Sequence, residues 1–315
     1  MTTHSQHHIK NRCIRIIVGV LLLCNVAFAQ DTLKSTNESF PLEELKDYTQ
    51  TFYYSKGYEE RARSIAMFME DAGTYFLKEI GFTPKTTLYI LAPKHWKEFA
   101  AKPLREVYGF PHNATSEKLV IAAEDNDFWR SFLPPVDSLL PSIAAEVTKA
   151  YGKPDGSFSM MPFFDLLALH EMGHSYTSQA GLKMHRYWMG ELFVNIMLHT
   201  YIAEKQPELL PVLETFPNMV TGMGTAEFKF TSLKDFEELY PSLGMGPKNY
   251  GWYQSMLHSA AKDIYHRGGE IVLKKLWNAL EKHQKEMTDE EFIDMLYKEV
   301  HPSVANVYLN WNKTE

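Results

Sequence analysis

Apolar positions recur along the chain with two periods, and the period changes as the sequence proceeds. Over residues 57–80, Ile65, Met67, Phe68, Ala72 and Phe76 fall at helical spacing, which predicts an amphipathic helix with these side chains inward. Short β-branched and aromatic runs predict strands at 87–91 and 119–123, with a helix around 95–99 between them. A helix over 137–151 follows, closed by turn chemistry at Gly152-Lys153-Pro154-Asp155-Gly156. From there the helical period takes over. Residues 163–169 lead into a buried helix, 187–203 form a second apolar helix, and 249–269 a third. Ser232 with Asp235 caps a short helix to Tyr240, and Thr288 with Glu291 forms a capping box for a helix to Glu299. Trp277, Leu280, Phe292 and Leu296 read as packing residues. Strands early and helices late predict the α+β class. The expected organisation is one domain over residues 30–315, with a sheet-containing lobe over about 50–160 and a helical lobe over about 161–300.

The N-terminus carries a different pattern. Lys10, Arg12 and Arg15 precede an apolar run at 16–23, and Ala27-Phe28-Ala29 gives a small-x-small site before Gln30. That is the layout of a cleaved signal peptide over residues 1–29, and the run is too short for a stable membrane span. The expected location is secreted or periplasmic. Cleavage removes both cysteines, Cys13 and Cys24, so neither a disulfide framework nor thiol catalysis is expected. It also removes three basic residues of 32, leaving 29 against 39 acidic ones and a net charge of −10. An acidic chain with no basic cluster excludes a nucleic-acid partner. Three glycan-acceptor patterns begin at Asn37, Asn113 and Asn312.

The chemistry concentrates in His170-Glu171-Met172-Gly173-His174. Residues four apart on a helix share a face, so His170 and His174 can present two imidazoles to one metal ion. Glu171 lies beside the first of them, where a carboxylate can act as a general base toward water. Burying two histidines and a glutamate without partners is costly, and a metal removes that cost. Catalytic zinc takes three protein ligands, and His185 and Glu191 are the candidates for the third.

With Glu191 in Trp188-Met189-Gly190-Glu191, seventeen residues beyond His174, the chain resembles the gluzincin metallopeptidases, which include thermolysin and the zinc aminopeptidases. The metzincin pattern fails, because Thr177 and Ala180 stand where glycine and histidine are required. The resemblance implies a zincin fold, Zn2+ as cofactor, a peptide or protein substrate, and His170, His174 and Glu191 as ligands. It implies Glu171 as the catalytic base and an aspartate four residues after Glu191 to orient a ligating imidazole; Asn195 stands there instead, able to accept the imidazole N–H but not to stabilise it by charge. In the aminopeptidase branch a tyrosine early in a later helix donates to the oxyanion. Tyr253, with Gly268 about four turns on, fits that layout; Tyr250 and His258 are the alternatives. The family's edge strand near the metal binds substrate backbone, a role open to residues 118–124 or 157–161. Residues 156–160 lack the glutamate that reads a free amine in aminopeptidases, which favours endo- or oligopeptidase cleavage. Methionines 160, 161, 172 and 189 could line an adaptable apolar pocket or fill the core. Two other classes stay open: a catalytically silent zinc-binding module and a zinc hydrolase of a non-peptide amide or ester.

Overall fold

The computed structural model describes residues 40–242 and 244–311. The expected signal peptide, both cysteines and the acceptor patterns at Asn37 and Asn312 lie outside the described residues.

A five-stranded sheet occupies the first part of the chain, in the order β1-β2-β3-β5-β4. Its strands are β1 (Glu43–Leu45), β2 (Thr51–Tyr54), β3 (Thr87–Leu91), β4 (His112–Thr115) and β5 (Lys118–Ala122). The inner three are parallel, and β1 and β4 close the two edges antiparallel. Parallel neighbours need crossovers, supplied by α1 (Glu59–Ile80) between β2 and β3 and by α2 (Pro93–Phe99) after β3. Both faces of the sheet are therefore covered. Leu88, Ile90, Leu119 and Ile121 share a core with Ile65, Ala66, Met69, Ala72 and Phe76 of α1. The alternate residues Tyr89, Leu91, Val120 and Ala122 pack on the other side with Trp96, Trp129 and Phe164.

Ten further α-helices follow among the described residues. They are α3 (Asp127–Arg130), α4 (Pro141–Tyr151), α5 (Met161–Gln179), α6 (Tyr187–Lys205), α7 (Leu210–Gly222) and α8 (Leu233–Leu239). The last three α-helices after α9 (Gly246–Gly268) are α10 (Ile271–Lys282), α11 (Asp289–Met295) and α12 (Pro302–Asn310). Helix α5 is buried along most of its length, as its apolar lead predicted, and lies against β4 and β5. Gln179 at its end ties it to the sheet, donating to the carbonyls of Lys85 and Ser116 and accepting from the Lys85 N–H. Helices α5 and α6 approach closely at Gly173. A Cβ there would sit 2.8 Å from Val194 Cγ1. The capping boxes at Ser232 and Thr288 are both present. The helix opened by Thr288 ends at Met295 and passes into one π-helical turn, Leu296–Val300.

Several expectations need correction. Met67 is 65% exposed, and Ala66 and Met69 take the inward positions, because α1 turns its face slightly from the one its long apolar side chains suggested. Strands β1 and β4 are short and polar, and β2 spans only four residues, so all three escape a periodicity reading. Residues 118–122 form an inner strand, and 157–161 contribute only an isolated bridge at Phe158, so neither segment is the sheet edge; β4 is. Met160, Met172 and Met189 are buried core residues. No helix among the described residues is long and apolar enough to cross a membrane.

Candidate metal centre

Helix α5 carries His170 and His174 one turn apart, with ring centroids 5.1 Å from each other. Helix α6 brings Glu191, only 2% exposed, to the same point. His170 Nε2 lies 3.3 Å from Glu191 Oε2, and His174 Nε2 lies 3.7 Å from Glu191 Oε1. One ligand atom from each of the three residues falls within a 4.8 Å cluster that could hold a metal ion. Donors about 2.0–2.1 Å from a tetrahedral ion are roughly 3.3 Å apart, so the spacing needs little adjustment. The tautomer is also suitable. His170 Nδ1 lies 2.9 Å from Asn195 Oδ1, which can only accept, so Nδ1 carries the hydrogen and Nε2 offers its lone pair to the cluster.

Glu191 is held from outside as well as inside. The Tyr240 hydroxyl donates to Oε1, and Gln254 Nε2 donates to Oε2 at 2.8 Å. Burial opposes a charge on Glu191, but His174, His170 and Tyr240 hold its carboxyl well below the usual carboxylate range. Burial also works against a charged His170, yet the hydrogen bond and charge of Glu191 outweigh it and raise that imidazole's pKa. Burial lowers His174 to about 4.

Glu171 differs from Glu191 in every respect that matters for reactivity. Burial and the nearby charge of Glu191 push its carboxyl up to about 8, opposed by His170 and by the Asn113 N–H on the edge strand β4. It is half-buried. Two buried-site carboxyls with opposite shifts sit side by side.

The expected oxyanion donor must be revised. Tyr253 is fully buried among Phe236, Trp252 and Trp311, and its hydroxyl donates to the Ser232 carbonyl at 2.8 Å. Its pKa is raised by burial and then Asp235, not by the cluster. Tyr250 is the tyrosine of α9 that faces the centre. Burial, Glu191 and Glu171 together raise its pKa far above 10, and its oxygen accepts from Gln254 Nε2 at 3.0 Å, so the hydroxyl hydrogen is unspent there. His258 lies over His170, its ring 6.1 Å away and tilted 27°, with its pKa lowered to about 3 by burial first and then by His170. His185 is no ligand. It adopts φ 61° in the loop before α6, and its Nε2 is 2.8 Å from the His283 carbonyl.

Two site residues, Tyr240 and Gln254, were absent from the sequence expectations. Gln254 had a signal: Tyr250, Gln254 and His258 are spaced four apart on one helix and so share a face. Tyr240 had none, because the fold alone brings the end of α8 to Glu191. Asn113 has its amide nitrogen engaged by Ser175 Oγ at 3.1 Å, which disfavours it as a glycan acceptor. No protein-family model, no curated protein and no solved structure matches this chain.

Proposed function

We propose that this protein is a zinc-dependent metallopeptidase with a gluzincin-like fold. One observation carries the reading: two imidazoles and a carboxylate converge from α5 and α6 with a second carboxyl group, that of Glu171, beside them. Nitrogen and oxygen donors at this spacing suit zinc, which supplies Lewis-acid polarisation of a carbonyl and lowers the pKa of water. His170, His174 and Glu191 are the holding residues. Asn195 keeps His170 in the ligating tautomer, and Tyr240 with Gln254 keeps both oxygens of Glu191 in place.

The remaining roles follow from position. Glu171 accepts the proton of the attacking water and returns it to the leaving amine. Tyr250 donates its hydroxyl hydrogen to the oxyanion, with His258 adjoining on the same face of α9. Strand β4, as the open sheet edge next to Glu171, receives the substrate as an added strand, which suits an extended peptide rather than a compact ester. With no carboxylate between Ser157 and Met160 to bind a free amine, internal cleavage of peptides is the favoured mode. The basic and apolar leader at 10–29 supports export of the protein.

The test compares zinc-loaded wild type with Glu171→Gln on a mixed peptide library. Chelator-sensitive cleavage that disappears in the variant supports the peptidase. Zinc retained by both, with no peptide cut by either, would point to a silent binding module.

A further inference from the structure

Behind the metal ligands, α6 and α9 run side by side and face each other with polar residues four apart. Glu191, Asn195 and His199 form the stripe on α6; Tyr250, Gln254, His258 and Lys262 form that on α9. The seam ends in a half-buried ion pair between Glu214 and Lys262. Glu214 on α7 lies 3.1 Å from His199 Nε2 and 2.5 Å from Lys262 Nζ. Between this pair and His258 is a cavity of about 10 Å3, lined by His199, Glu214, His258, Ser259 and Lys262 among others. That volume accommodates about one water molecule.

The lining groups call for one. His199 Nδ1 and Ser259 Oγ are buried and have no hydrogen-bond partner in the protein. Since His199 Nε2 points at a carboxylate it carries the ring hydrogen, which leaves Nδ1 as a bare acceptor needing a donor. His258, 8% exposed and stacked on His170, reaches the same void. A dry void would leave these polar groups desolvated and uncompensated, whereas a water can donate to Nδ1 and still bond twice more.

We infer that this cavity binds one ordered water, bridging His199 Nδ1, Ser259 Oγ and a ring nitrogen of His258. The water fixes the orientation of His258 beside the metal ligands. Ser259 and His199 are thus positioning residues acting on a side chain of the centre. The water site itself stands without the peptidase reading; only the value of an oriented His258 rests on it.

The experiment is a crystal structure of the full chain with zinc, at about 1.5 Å or better, so that single waters and ring orientations are visible. A water within about 3.2 Å of all three groups is expected. An empty cavity, or a water that does not reach His258, overturns the inference. Ser259→Val removes the hydroxyl and fills the void; there the water should vanish and the His258 ring should turn or split between two orientations. A ring unchanged in place overturns the positioning role. Ser259→Ala gives the same reading without added bulk, should the valine variant fail to fold. If wild type takes up no zinc, the proposed function fails, while the same crystals still decide the water site.

Discussion

Tyr250 and Tyr253 stand less than one turn apart on α9 and have opposite fates. Tyr253 points into an aromatic core with Phe236 and Trp311 and uses its hydroxyl on a backbone carbonyl. Tyr250 lies on the face that also carries Gln254 and His258, within the field of Glu191 and Glu171. The difference teaches that a helix assigns chemistry by face. Three residues of offset rotate Tyr253 by about 60° from Tyr250, on the side away from Gln254 and His258, enough to exchange the candidate metal centre for the core. Nothing in either tyrosine's own neighbours in sequence distinguishes them.

Substitutions on the two faces of α9 should have unequal effects. The largest effect is expected at the proposed base: Glu171→Gln should lower peptide cleavage on the order of 10³-fold, with zinc content retained. Tyr250→Phe should lower kcat about 10²-fold with little change in KM, as loss of an oxyanion donor does. Tyr253→Phe should leave both constants within about twofold, because its hydroxyl serves only Ser232. Equal losses in the two tyrosine variants would erase the distinction between faces. Tyr240→Phe and Gln254→Met should weaken zinc affinity roughly 10–100-fold in chelator competition, since each frees one oxygen of Glu191. Smaller effects are expected on stability. Gly173→Ala should cost about 1–3 kcal/mol by forcing α5 away from Val194, read as a lowered thermal midpoint. Tyr253→Phe should cost about 1 kcal/mol through its lost hydrogen bond.

Much of the framework was legible in the chain. The apolar lead of α5 and the nearly continuous apolar run of α6 announced buried helices, and the residues in them that are not apolar stood out as candidates for chemistry. Strand β3 matched its run residue for residue, and the caps at Ser232 and Thr288 carried their own local signature. Glu191 could be picked out because tryptophan three residues earlier gave it a context. What escaped was decided by tertiary contact. Strand β4 reads His-Asn-Ala-Thr, with no alternation to betray it, and becomes a strand by pairing with β5. Tyr240 reaches Glu191 across 49 residues of chain, and no local pattern encodes that meeting. The placing of Tyr253 was hidden for the same reason: its partner, the carbonyl of Ser232, lies 21 residues away.

The account depends first on metal binding by His170, His174 and Glu191. The direct measurement is zinc content of purified full-length protein after exposure to zinc and removal of the unbound ion, alongside a His174→Ala, Glu191→Ala double variant whose fold is checked by circular dichroism. About one zinc per chain in wild type and almost none in the folded variant is expected. Wild type that takes up no metal, or a folded variant that binds as much zinc as wild type, would contradict it.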